Sequence, residues 1–444
     1  MAVDPDVSPQ SGPAWFAEEK LYLHAHELFC AGEWVDAARI FDHLAQLRPD
    51  FPLYREILGW ALESLRTRGD GRIPRLAPGT AGSLPALELR SLEVLLRHAR
   101  VGINQLETMR ARLGARLDFQ LLPLVAHPLA DSAWLDGLNR WLGHHPLLAI
   151  SPDVSGYLQA VDEPSARFTR LRFPGPTGHS SSPSKPSETP LVSVAMACFN
   201  NAGTLAAAVD SVLAQSEPAL ELIIVDDASS DGSAAIAAEC VARDPRVRYL
   251  RNARNLGTYA SRNRALDAAR GRYFTVLDAD DLALPDRLAR QRSALESRPS
   301  ALAVISRLVR MTGGGQPVAL NVEAGGFVHW AVGTLMVRRE AALAELGYWD
   351  EVRFEADSEY MNRLHVACGH DALHWQDDVV TLALHREDSL TRAATTGFDD
   401  LFGPSAIRQA YRDAWQQWHR SGMPLHLPRA PGTRPFPAPQ EMLA

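Results

Sequence analysis

From residue 191 onward the chain alternates short apolar runs with helix-patterned stretches, and this alternation limits its fold more than any other feature. Leu191–Met196, Glu221–Val225, Val247–Leu250 and Tyr273–Leu277 read as strands. Thr204–Leu213, Gly232–Val241 and Thr258–Ala269 read as the helices between them. Strands alternating with helices of this length predict an α/β domain whose parallel sheet is covered on both faces. Such sheets bind ligands beyond the carboxyl ends of their strands. A polar cluster follows every one of these strands: Asn200-Asn201, Asp226-Asp227, Asn255 to Arg262, and Asp278-Ala279-Asp280-Asp281. Four clusters at four strand ends describe a site.

The last cluster carries the clearest chemistry. An extended backbone points residues two apart to the same side, so Asp278 and Asp280 converge. Close carboxylates repel unless a cation sits beside them. A hard divalent ion such as Mg²⁺ or Mn²⁺, held by few carboxylates plus a ligand's phosphates, suits that arrangement. An isolated D-x-D also serves as a turn capping the next helix, here the one starting near Pro285.

The order and spacing of these segments resemble a known family. Val192-Ser-Val-Ala-Met-Ala-Cys-Phe-Asn-Asn201, Val225-Asp-Asp-Ala-Ser-Ser-Asp-Gly-Ser233, Asn255-Leu-Gly-Thr-Tyr-Ala-Ser-Arg-Asn263 and Gly271-Arg-Tyr-Phe-Thr-Val-Leu-Asp-Ala-Asp-Asp281 are similar to the opening of family 2 glycosyltransferases. The resemblance is strong over about ninety residues, extends more weakly to Thr391, and says nothing of residues 1–190. It implies a GT-A domain with a Rossmann-like, mostly parallel sheet and an inverting, metal-dependent transfer of sugar from a nucleotide donor. Carried over by position, Ala197 and Phe199 contact the base, Asp227 accepts a base N–H that marks uracil, Arg262 lies near the diphosphate, and Asp278 meets the ribose or sugar. Asp280 ligates Mn²⁺ or Mg²⁺. Each has a plainer reading: Phe199 as core, Asp227 as a turn residue, Arg262 as a solvated helix charge. Asp231 is best explained as a helix cap. Members often carry proline or threonine near Ala197 and tyrosine at Phe199, so the contact at Ala197 falls to its backbone.

The weaker part runs from Gly333 through Leu346-Gly-Tyr-Trp-Asp-Glu351 to Phe354-Glu-Ala-Asp-Ser-Glu359. There Asp357 occupies the position of the family's catalytic base, a place where a capping residue is favoured anyway. Leu384-His-Arg-Glu-Asp-Ser-Leu-Thr391 resembles a loop that closes over the donor, which makes His385 a candidate metal or phosphate contact. No Gln-x-x-Arg-Trp motif and no apolar run long enough to span a bilayer occur, against a processive membrane synthase.

The rest of the chain is read as packing and connection. Residues 1–172 are helical in pattern, with a weak tetratricopeptide-like hairpin over 15–65 that places Ala37, Phe41 and Leu44 at helical spacing. This part is the expected dock for a protein partner. Residues 173–190, rich in proline, serine and glycine, read as a linker, 191–422 as the GT-A domain, and 423–444 as a proline-rich tail. The net charge of −8 argues against a nucleic-acid partner. Four cysteines without metal or disulfide spacing, and an opening without a signal-peptide pattern, give the expectation of a cytoplasmic protein, at most peripheral at the inner membrane face.

Competing enzymes fit less well. A phosphatase of the haloacid dehalogenase type needs a cationic residue after its D-x-D, usually lysine, and no lysine follows Lys185; no P-loop occurs either. A nucleotidyltransferase shares the sheet and metal logic and is the nearest enzymatic alternative. An inactive nucleotide-sugar-binding module, with the helical part as the working region, is the other. The expected acceptor is a glycan, lipid-linked or protein hydroxyl, and the product a surface polysaccharide or related glycan.

Overall fold

The computed structural model describes residues 25, 28, 34–47, 137–138, 141, 168–171, 173, 191–318, 327–386, 398–399, 403–429 and 434–443. Contacts group the chain into two units: residues 1–128, 319–327 and 398–403, and residues 129–318, 328–397 and 404–444. The division thus falls ahead of 173–190, of which only Phe173 is described. Phe168, just before the expected linker, donates its N–H to the Gly313 carbonyl at 2.9 Å within the second unit.

In the first unit the described elements include helix α1, Trp34–Leu47, and a two-residue strand, Phe398–Asp399. The apolar residues of α1 recur at helical spacing, burying Ala37, Ala38, Phe41, Leu44 and Ala45 while Asp36, Arg39, Asp42 and His43 face solvent. That agrees with the expected helix there. The remainder of the tetratricopeptide-like hairpin lies outside the described residues.

The second unit is built on a ten-stranded sheet. Its first strands are β1 Val192–Cys198, β2 Leu220–Asp226, β3 Val247–Arg251 and β4 Tyr273–Val276. The intervening helices are α2 Leu205–Leu213, α3 Ser233–Arg243 and α4 Thr258–Ala268. β1 pairs in parallel with β2 and β4, and β2 with β3. Each crossover is one helix, so order and direction follow from local connections. Close approach is enforced at the entry to β4, where a Cβ on Gly271 would lie 2.6 Å from the Ser193 nitrogen.

Beyond β4 the pattern becomes mixed. The further strands are β5 Leu282–Ala283, β6 Ala303–Met311, β7 Pro317–Val318, β8 Val328–Trp330, β9 Met336–Arg338 and β10 Leu373–Leu384. The order is β3-β2-β1-β4-β9-β6-β10-β5, with β7 and β8 also on β6. β9 runs antiparallel between β4 and β6, and β10 returns parallel to β6. The helices here are α5 Arg287–Glu296, α6 Arg339–Glu345, α7 Ala356–Cys368 and α8 Ala406–His419.

Two cores cover the two faces of the sheet. On one, Val194, Met196, Leu222 and Ile224 meet α2, α3 and α5 through Leu205, Val209, Ala237, Cys240, Leu288 and Leu295. On the other, Ala195, Ile223, Val225 and Phe274 meet Tyr259 and Leu266 of α4, Tyr360 and Leu364 of α7, and Tyr411, Trp415 and Trp418 of α8. Full burial of each such aliphatic side chain contributes about 1.5–3 kcal/mol.

The stretch expected to be a proline-rich tail is packed instead. Leu427 exchanges backbone hydrogen bonds with Leu346 and Tyr348, both at 2.9 Å. Phe436 stacks on Trp418 with ring centroids 5.2 Å apart, and Met442 is fully buried. Proline removes the periodic pattern from which elements are read, but it leaves apolar anchors free to bury.

Candidate active site

The ends of β1 and β2 are tied together by side chains from the loops that follow them. Asn200 donates its N–H to Ser229 Oγ at 3.0 Å, and its Oδ1 accepts from Ser230 N at 2.9 Å. Asp231 accepts from Ala202 N and Ser233 N, both at 2.9 Å, but stands one residue ahead of Gly232, which is the N-cap of α3 in place of the expected Asp231. Asn200 (φ 54°) and Ala228 (φ 66°) are held in the left-handed region by this network. Glu355, before α7, is the third left-handed non-glycine among the described residues (φ 74°). Such conformations cost about 1–2 kcal/mol each and persist where surroundings impose them. Asn200 and Ala228 stand just past the ends of β1 and β2, and Glu355 stands just before α7. The same geometry leaves Phe199 47% exposed, so it is not a core residue. Ala197 lies one step inside, in register with Val225.

Asp227 is buried and already engaged. Its Oδ1 accepts from Asn252 Nδ2 at 2.7 Å and from Leu256 N at 2.9 Å, and its Oδ2 accepts from Gly257 N at 2.7 Å. A carboxylate offers about four acceptor sites, so about one stays open to a ligand. The sequence showed a candidate base contact; the structure adds that the residue fastens the 255–257 loop onto β2.

Arg262 and Asp278 meet. Arg262, on the first turns of α4, is buried and donates to Asp278 Oδ1 at 2.7 Å. Burial opposes its charge, but Asp278, Tyr259 and Asp357 outweigh that and raise its pKa. Tyr259, which the sequence reading passed over, lies beside Arg262, whose guanidinium sits over its ring at 5.4 Å. Burial, and then the charge of Asp357, pushes its phenol well above the usual range. Asp357 stands in the first turn of α7, partly exposed, with Oδ1 also accepting from Ser358 N at 2.8 Å. Arg262 thus bonds Asp278 and lies over the Tyr259 ring, and the charge of Asp357 acts on both Tyr259 and Arg262.

The loop after β4 gathers negative charge. Asp278 keeps 44% of its side chain exposed and Asp280 24%. Burial, and then repulsion from Asp278, pushes Asp280 up to about 6. Burial and the neighbouring Asp280 and Asp278 raise Asp281 further from the usual carboxylate range. Asp281 Oδ1 accepts from Leu384 N at 3.0 Å, which ties the end of β10 to this loop. His385 follows there, its N–H donating to Met311 O at 2.7 Å, but the cation recorded beside Asp280 is Arg386, at 3.8 Å. Residues 387–391 of the expected closing loop lie outside the described residues. Among the described residues, no group of three His, Cys, Asp or Glu side chains is arranged to hold an ion. Asp280, raised by burial and then by its Asp278 neighbour, nonetheless suits a divalent cation that takes its other ligands from water and a diphosphate. The donor set fits such an ion.

Residues 193–327 match the family model described as Glycosyl transferase family 2. This segment belongs to that family. Its relatives include a succinoglycan biosynthesis protein, ExoO of Rhizobium meliloti, 39% identical over 117 residues, 26% of this chain and 33% of that one. The putative teichuronic acid biosynthesis glycosyltransferase TuaG of Bacillus subtilis is 39% identical over 114 residues, 26% of this chain and 45% of that one. The chain thus spans between 33% and 45% of the length of these two relatives. Among solved structures, TarS of S. aureus in complex with UDP aligns with a TM-score of 0.37 and 17% identity over 44% of this chain and 61% of that one, too loose a likeness to argue from. The family 2 segment holds Ala197, Phe199, Asp227, Arg262, Asp278 and Asp280, while Asp357 and His385 lie beyond it. Among the described residues no helix is long and apolar enough to cross a membrane.

Proposed function

We propose that the cleft binds a nucleotide sugar and transfers its sugar to a hydroxyl acceptor with inversion at the anomeric carbon. The observation that carries this reading is the grouping around Arg262, which bonds Asp278 and lies over the Tyr259 ring while the charge of Asp357 acts on both Tyr259 and Arg262. It joins a candidate base on α7 to the acidic loop after β4, so both ends of a displacement have a residue in one cleft.

Each residue then has a physical task. The exposed face of Phe199 stacks on the base. The acceptor site left on Asp227 takes a base N–H, which favours uridine over cytidine. Asp278, held by Arg262, meets the ribose or sugar. Asp357 removes the acceptor hydroxyl's proton as the oxygen bonds the anomeric carbon, while the bond to the nucleoside diphosphate breaks. One base facing one leaving group gives a single in-line step, hence inversion. Asp280, with His385 as the further candidate ligand, would hold Mn²⁺ or Mg²⁺, which neutralises charge on the departing diphosphate. The relatives named for succinoglycan and teichuronic acid biosynthesis support a glycan product, with a glycan, lipid-linked or protein hydroxyl as acceptor.

The test is a screen of UDP-, GDP- and dTDP-sugars for sugar transfer and nucleotide release, run with Asp357→Asn beside the unaltered protein. Asp357→Asn should keep donor affinity and lose about 10²-fold or more in kcat, the scale of general-base catalysis. Near-normal turnover by that variant, or a product of retained configuration, overturns the reading. Release of pyrophosphate from nucleoside triphosphates would point to nucleotidyl transfer instead.

A further inference from the structure

Glu355 combines features that seldom coincide. It is a non-glycine residue with φ 74°, it is 3% exposed, and it is an acid placed immediately before α7. Two guanidinium groups from α8 meet its carboxylate: Arg408 Nη1 on Oε2 and Arg412 Nε on Oε1. Arg408 is itself 3% exposed and stacks over the Phe354 ring at 4.7 Å. Charge-assisted bonds to both carboxylate oxygens fix a side chain in position and orientation together. Because the side chain is fixed, the backbone carrying it is fixed in its left-handed state. Two residues later stands Asp357.

α8 grips α7 again one turn further on. His419 bridges Glu359 at 3.0 Å and Asn362 at 2.8 Å. Tyr411, Trp415 and Trp418 pack in the same core as Tyr360 and Leu364. These contacts hold the end of the first turn, at Glu359, and the helix body beyond it. The Glu355 pairs act on the residue that directly precedes that first turn.

We infer that the Arg408–Glu355–Arg412 clamp is a positioning device for Asp357, by which the C-terminal helix sets the aim of the base into the cleft. The inference rests on the reading of Asp357 as base. Neither arginine is offered as a catalytic residue; both act through Glu355 on the first turn of α7. The clamp also explains an acid where glycine would fit the backbone more cheaply. Glycine would supply the conformation but not its rigidity.

Glu355→Gly made together with Arg408→Met and Arg412→Met tests this directly. It keeps the left-handed backbone accessible, deletes both ion pairs and strands no buried guanidinium. Nucleotide release from UDP-glucose, GDP-mannose and dTDP-glucose serves as the turnover probe, UDP calorimetry as the donor-affinity probe, and amide exchange over 356–361 as the positioning probe. The expected result is unchanged UDP affinity, at least 10-fold faster exchange in the first turn of α7, and at least 10-fold lower kcat with KM for the donor held. Should the triple variant not fold, Arg412→Gln replaces it, because Arg412 is 26% exposed on its side chain and removable at less cost. It should show the same split at smaller amplitude, with an unchanged melting temperature. Unaltered exchange in the first turn of α7, or unaltered kcat in a folded variant, overturns the clamp. Asp357→Asn in parallel separates the two ideas: if it retains turnover the base assignment fails, whatever the clamp variants do.

Discussion

The first four strands and the region from residue 327 onward reach the same cleft by different means. In the first, neighbours in space are near neighbours in sequence: β1, β2, β3 and β4 pair in parallel, with one helix per crossover. Its buried carboxylate hub, Glu221, takes Ser193 Oγ at 2.7 Å, Arg270 N at 2.7 Å and Arg248 Nη1 at 3.0 Å, all from adjoining strands or their entries. In the second, the hub is Glu359, which takes Arg363 in a two-pronged pair, both at 2.9 Å, and His419 at 3.0 Å from a helix of its own. Arg363 in turn bonds the carbonyls of Leu346 and Tyr348. The first region is arranged by its periodicity; the second depends on a few buried charges.

The largest expected effect follows from that dependence. Arg363→Met leaves Glu359 buried with less compensation, and should destabilise by about 3–5 kcal/mol. Thermal or urea unfolding measures it. A loss near 1 kcal/mol would show that aromatic packing, and not the buried pair, holds the later region together.

Next comes Asp227→Asn in the first region, where the amide turns a donor toward at least one of three N–H groups. A local loss of about 1.5–3 kcal/mol is expected from bonds to a charged acceptor. Calorimetry should show weaker UDP binding, while CDP binding changes less. Equal affinity for the two nucleotides in the unaltered protein would remove Asp227 from base selection and leave it only the 255–257 loop.

Acid acts on both regions. Burial opposes the charge on Glu221 and Glu359, but hydrogen bonds and neighbouring cations outweigh it and draw both carboxyls below the usual 4.5. A depressed folded-state pKa means that their stabilisation is complete above about pH 4.5 and is lost as pH falls through the lower folded values. Glu221→Gln should therefore flatten part of the acid limb of the stability curve. An unchanged limb would assign it to other carboxylates.

The smallest effect belongs to the Arg243–Asp210 pair, whose side chains are 56% and 28% exposed. Arg243→Ala should cost under about 1 kcal/mol. A larger loss would mean that surface charge contributes to the first region, against the contrast drawn here.

The sequence by itself determined the parallel β-α alternation, because strand and helix periods are properties of a few consecutive residues. The elements expected at Leu191–Met196, Gly232–Val241 and Thr258–Ala269 appear as Val192–Cys198, Ser233–Arg243 and Thr258–Ala268. It also determined where polar groups cluster, since each follows a strand end. Tertiary structure decided what those groups touch: that Arg262 holds Asp278 and lies over Tyr259, and that Arg386 lies beside Asp280. It decided as well that residues 423–429 and 434–443 pack through Leu427, Phe436 and Met442. Short β5, β7, β8 and β9 and the proline-rich end carry too few residues for a period to show. Their places are set by pairing with distant partners, and a local pattern holds no record of such partners.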